Sequence, residues 1–187
     1  GDARAGDVIL CTKQIGQELA VNFALTHRAL AENLFDVIRT QKLQNLVGRQ
    51  TCVAEAQLLA NVVNAHAMHD TTEGGLVAAL NDLADASNLG FIVDWEKIPF
   101  SEEIRILQTH FSLSQTELLS TSSTGTVLAA VNPQRGDLAL KELRKHAIEA
   151  CLIGTFTKGR KRLLHRGKKK AAFPPVAEDP YARIMLK

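Results

Sequence analysis

The sequence predicts an α+β protein, with helices laid on a single sheet. Three observations carry this. Helical and β-rich segments alternate along the 187 residues. The β-rich runs are short and only four or five in number, too few for a large doubly wound sheet. The chain is 45% hydrophobic and 22% charged, the balance of a globular domain rather than a disordered one.

Residues 7–12 (DVILCT) are rich in β-formers and read as the first strand. Ile15-Gly16 signals a turn. Residues 17–41 carry Leu19, Phe23, Leu30, Leu34, Val37 and Ile38 at helical spacing, with a break expected near Thr26-His27. Residues 43–51 are polar and contain Gly48, which marks a connection. Residues 53–65, rich in Ala and Leu, read as a second helix. Residues 69–75 (HDTTEGG) form a polar loop between two helices. Leu76, Ala79, Leu80, Leu83 and Ala84 then make an apolar stripe, with Asn81, Asp82 and Asp85 opposite it. Asn88 and Gly90 stop that helix. Residues 90–93 read as a strand, and Pro99 leads to a helix over about 102–109. A polar cluster at 120–125 precedes a strand at 126–131, a helix at 137–147 and a strand at 151–157. Residues 163–165 are expected to pair with this last strand around a basic turn. From Ala171 onward Pro174, Pro175 and Pro180 mark an irregular tail. The expected division is a domain over 1–157 and a basic hairpin with tail over 158–187.

Charge is unevenly placed. Eight basic residues and no acid lie between Lys158 and Lys170; the chain carries +2 overall, so the remainder carries −6. With no aromatic inside the run, a solvated hairpin is the expectation and nucleic acid is not an expected partner. No apolar run approaches the ~18–20 residues of a membrane span, so no membrane association is expected. Cys11, Cys52 and Cys151 are widely spaced with no C-x-x-C, which signals neither a disulfide framework nor a zinc ribbon. They read as buried or free thiols in a reducing, cytoplasmic compartment. His66 reads as structural, and no H-x-x-x-H pair marks a zinc site. The chain does not begin with Met, and a piece of a longer protein is the expectation.

Residues 69–75 hold the candidate chemistry. A helix N-terminus offers outward N–H groups and partial positive charge. Gly74 and Gly75 lack Cβ, so an anion can approach the main chain, and Thr72 and Glu73 complete a phosphate-binding turn. Asp70 is the candidate metal ligand beside such a phosphate, and His69 can move a proton near neutral pH. On these rules alone the plainer reading stays open: a helix start, capped by Thr72 or Asp70, with Glu73 in the first turn.

The run HDTTEGGL (69–76), followed by ALNDLADASNLGFIVDWEKIP, resembles the C-terminal domain of the aminoimidazole ribonucleotide synthetase-related superfamily. GDVILCTKQIG (6–16), TGTVLAAVNP and CLIGTFT (151–157) resemble its opening strand-turn and its closing β-α-β. The similarity runs over nearly all of 6–157 and is nearest to the hydrogenase-maturation type, which dehydrates a carbamoyl thioester. The resemblance implies a ferredoxin-like α/β sandwich, a mixed, mostly antiparallel sheet of about four strands covered by helices. It implies an N-terminal ATP-binding domain of the same protein as partner, which would bring ATP and Mg, with a homodimer and a maturation-pathway protein as further partners. It also implies a reaction in which ATP activates an oxygen as a phosphate ester that is then eliminated, with His69 and Asp70 as catalytic residues. Two departures bear on activity. Gln17-Glu18-Leu19 stands where the maturation proteins have a Gly/His-containing turn. Met185 stands where they have a terminal Cys, and a thioether cannot form the acyl thioester. The alternative is therefore an inactive paralogue acting as an interaction module, and the domain alone is expected to be catalytically silent.

Overall fold

The computed structural model describes residues 1–186. Strand β1 (Val8–Thr12) is followed by three short helices where the sequence suggests one. His27 breaks the chain between α1 (Gln17–Thr26) and α2 (Arg28–Phe35), as expected. A second break, which no Gly or Pro announces, falls at Asp36, whose φ is +73°. Its carboxylate accepts from the Arg39 amide at 2.8 Å and so caps α3 (Val37–Gln44). Helix α4 (Val53–Leu58) passes into a π turn (Leu59–Val63). Strand β2 (Ala67–Asp70) then takes residues the sequence assigned in part to a loop.

Helix α5 (Gly75–Ser87) ends at Asn88 in the left-handed region, and β3 (Gly90–Asp94) follows. Ser101 caps α6 (Glu102–His110), and a Ser114/Glu117 capping box opens α7 (Gln115–Leu119), a helix absent from the sequence reading. Strand β4 (Val127–Val131), α8 (Gly136–Lys145) and β5 (Ala150–Thr157) fall where expected. The basic segment forms β6 (Arg162–Arg166) and β7 (Lys169–Ala172), and the tail ends in α9 (Tyr181–Met185).

The α+β class holds, but among the described residues the sheet has seven strands rather than about four, in the order β2-β4-β1-β5-β3-β6-β7. Every pairing is antiparallel except β3 with β6. The expected pairing of residues 163–165 with the 151–157 strand does not form. Both edges of β5 are taken, by β1 and β3, so β6 adds to the far side of β3 instead. Alternation along the strands sends side chains to two cores. Ile9, Cys11, Leu128 and Ala130 join α1, α5 and α6 on one face. Leu10, Val127, Ala129 and Val131 join Leu59, Val63 and α8 on the other. Helices therefore cover both faces.

Strands β6 and β7, beyond residue 157, extend the same sheet, and Phe173 and Ile184 are buried in the larger core. Asn81, expected on a solvated face, is buried: it donates to the Pro174 carbonyl at 2.9 Å and accepts from Arg162 at 2.7 Å. Arg166 lies over the Trp95 ring, 5.1 Å from its centroid, while Lys168, Lys169 and Lys170 are exposed. Among the described residues no helix is long and apolar enough to cross a membrane.

Candidate functional site: a glycine turn closed by the tail

Strand β2 ends at Asp70 and α5 begins at Gly75, so the turn itself is only residues 71–74. It joins a strand to a helix, not two helices. The pleat aims His69 toward the α5 face, with Nε2 3.5 Å from the Asp82 carboxylate and Nδ1 2.6 Å from the Asp70 carbonyl oxygen. Asp70 is exposed and lines a shallow cavity of about 220 Å³ with Cys52, Met68 and His69.

Thr71 locks the turn. It is fully buried, and its N–H donates to the Thr126 carbonyl at 3.0 Å. Its hydroxyl lies 3.2 and 3.3 Å from the Ser123 and Thr126 carbonyl oxygens, and the Ser123 N–H donates back to the Thr71 carbonyl at 2.9 Å. The turn is thereby clamped to the polar cluster at 120–126. The turn after Gly16 is braced on the same cluster: the Gly16 amide donates to Ser123 Oγ at 2.7 Å, and the Thr124 amide donates to Glu18 at 3.0 Å.

The two glycines differ. The Gly75 amide does not face an anion; it donates to the Thr72 carbonyl at 3.0 Å and closes the turn. A Cβ at Gly75 would stand 2.4 Å from the Thr121 carbonyl oxygen and 2.8 Å from the Ser120 carbonyl carbon, so this residue is glycine because α5 approaches the 119–121 main chain. Gly74, at φ +76°, is the N-cap of α5, and no side chain caps the helix, so neither Thr72 nor Asp70 takes that role. The Gly74 N–H donates at 3.0 Å to Asp179 Oδ2, which also accepts from Ser122 Oγ at 2.5 Å. Ser122 is 4% exposed. Glu73 lines a cavity of about 210 Å³ with Ser122, Asp179, Tyr181 and Ala182.

The candidate set thus divides. Glu73 and Gly74 meet Ser122 and Asp179, Thr72 holds the Gly75 amide, and His69 and Asp70 line a separate cavity with Cys52. Among the described residues no three His, Cys, Asp or Glu side chains converge, so the donors of this chain alone do not fit a metal ion. The thiols are not poised as nucleophiles. Burial raises Cys11 well above its ordinary range, burial and then the Asp70 charge raise Cys52, and burial pushes Cys151 up to about 11. His66 is structural, its Nδ1 2.8 Å from the buried Asp7 carboxylate. Sequence reasoning missed Thr71 and Asp179; Ser122 lies in the polar cluster at 120–125 that the sequence showed without a role.

Residues 4–165 match the family model described as AIR synthase related protein, C-terminal domain. A carbamoyl dehydratase, HypE, of Rhizobium leguminosarum bv. viciae is 30% identical over 155 residues, which cover 81% of this chain and 41% of that protein. A solved structure of the hydrogenase maturation protein HypE in complex with ATP superposes with a TM-score of 0.75 at 20% identity, covering 98% of this chain and 54% of the other. HypE in a HypE–HypF complex gives 0.66 at 18% identity, covering 92% and 54%. The chain therefore spans about half the length of these proteins.

Proposed function

The chain belongs to the AIR synthase related protein C-terminal domain family, and from that membership we propose that it is the C-terminal part of an ATP-dependent enzyme similar to HypE. Its partner is an N-terminal ATP-binding domain of the same protein, with a maturation protein as a further partner. The observation that carries this reading is the convergence of the Gly74 N–H and the Ser122 hydroxyl on one anionic oxygen. Two donors at a helix N-terminus suit a phosphoryl oxygen of ATP or of a phosphorylated intermediate. Thr72 and Glu73 shape the turn around it. Asp70, exposed at the strand end, is free to meet a Mg–phosphate brought by the other domain, and His69 is placed to hold or move a proton beside it. The test is ATP hydrolysis by the full-length protein beside its Asp70→Ala variant. The variant is expected to be slower by about 10–100-fold, the range for a group that supports a metal–phosphate contact. Equal rates would remove Asp70 from the reaction.

Met185 favours a second reading, a relative that keeps the fold and binds a partner without running the dehydration. Its thioether cannot carry an acyl group, and its carbonyl oxygen is held 3.2 Å from His27 Nε2. A full-length protein that binds a maturation partner but hydrolyses no ATP would decide for this reading.

A further inference from the structure

We propose that residues 173–186 are an autoinhibitory strap whose Asp179 carboxylate occupies the anion seat formed by Gly74 and Ser122, so that a phosphate binds only after the strap lifts. The inference rests on the phosphate-seat reading above and adds its regulation.

Asp179 comes to the turn from 105 residues away. A carboxylate only accepts hydrogen bonds, and one oxygen of Asp179 takes both seat donors, which leaves an incoming phosphate oxygen neither of them. Its other oxygen accepts from the Tyr181 amide at 2.9 Å, so the seated rotamer is held from both sides. The Ala177 side chain of the strap also covers the turn: a Cβ added at Gly74 would stand 3.0 Å from the Ala177 Cβ.

The ends of the strap are fixed and its middle is not. At one end Phe173 is buried, its ring 5.0 Å from that of Phe91. At the other Ile184 is buried, Asn22 donates to the Tyr181 hydroxyl at 2.9 Å, and Arg183 pairs with Glu117. Between them Pro175, Val176 and Glu178 are exposed, Val176 at 70%. The polar ties of this span are the Asp179 contacts, the Glu178 amide, which donates to Ser120 Oγ at 3.0 Å, and the Pro174 carbonyl beside the Phe173 anchor, which accepts from Asn81 at 2.9 Å. Within this span Val176 is solvent-exposed and Ala177 is the hydrophobic side chain that packs on the larger core, so the middle lifts by giving up one small apolar contact while both anchors stay in the core.

The experiment titrates inorganic phosphate into the isotope-labelled chain and follows the Gly74 amide resonance in the wild type, Asp179→Ala and Asp179→Ser. The serine keeps an oxygen for the Tyr181 amide, so it stands in if the alanine variant does not fold. A strap closed nine-tenths of the time weakens apparent affinity about tenfold. Both variants are therefore expected to half-saturate at a phosphate concentration at least about tenfold below that of the wild type, with Gly74 shifting. In the wild type, saturating phosphate is expected to speed hydrogen exchange at the Glu178 and Tyr181 amides. Equal half-saturation with Gly74 shifting in all three proteins, or unchanged exchange at full saturation, would overturn the strap and leave the seat standing. A Gly74 resonance that no protein moves would overturn the seat itself, and the strap with it.

Discussion

Replacing Gly75 by alanine separates two reasons for a glycine at this position. One is backbone conformation, since φ is +53°. The other is space, since the new Cβ would stand 2.4 Å from the Thr121 carbonyl oxygen, 2.8 Å from the Ser120 carbonyl carbon and 3.0 Å from the Leu119 carbonyl oxygen. All three are main-chain atoms and cannot swing aside as a side-chain tip can. Gly167 provides a matched control, with φ at +54° and nothing within 4 Å of an added Cβ. Gly167→Ala therefore carries the conformational term alone, about 1 kcal/mol. Gly75→Ala adds overpacking of about 1–3 kcal/mol, for a total of about 2–4 kcal/mol. With a urea slope of about 2 kcal/mol/M, its unfolding midpoint should fall by about 1–2 M, against about 0.5 M for the control. Urea denaturation followed by circular dichroism measures both. Equal midpoint shifts would refute the claim that close packing of α5 on the 119–121 segment dictates this glycine.

The buried Lys13 pairs with Glu55 and donates to the carbonyl oxygens of Arg49, Thr51 and Gly125 at 3.1, 2.7 and 2.9 Å, anchoring the polar cluster from below. Lys13→Met should cost about 3–5 kcal/mol by leaving Glu55 buried and unpaired, and adding Glu55→Leu should recover at least about 1 kcal/mol; strictly additive losses would contradict that coupling. Glu117 is held below its ordinary range first by the Ser114 amide and also by Arg183. Its stabilising contribution is thus present above the unfolded carboxylate range and is lost as pH falls through the lowered folded value. Exchange at the α9 amides should accelerate over that acidic window, and Glu117→Gln should remove that window's contribution; an unchanged profile in the variant would rule this out.

The central strands β4, β1, β5 and β3 were legible because their β-branched and apolar runs are bounded by turn residues. Helix α5 was legible from its stripe, and Ser114 to Glu117 carried a capping signature that identifies α7 after the fact. Strand β2 was not legible. It lies at the sheet edge, pairs among the described residues only with β4, and is half polar, so its register is imposed by its neighbour. The break at Asp36 was hidden because apolar spacing continues across it. At the site, the glycine turn and the polar cluster at 120–125 were visible in the sequence, but what each glycine does was not. Gly74 presents its amide to an anion, while the Gly75 amide is spent on the turn and its missing Cβ serves packing.

Local sequence determined the four central strands, helix α5 and which short run can present main-chain donors, because periodicity, capping and glycine act within a few residues of themselves. Only the tertiary structure decided what those donors hold. A carboxylate 105 residues along the chain reaches Gly74 because both anchors of the tail are buried in the common core, and burial against distant partners leaves no mark on local pattern.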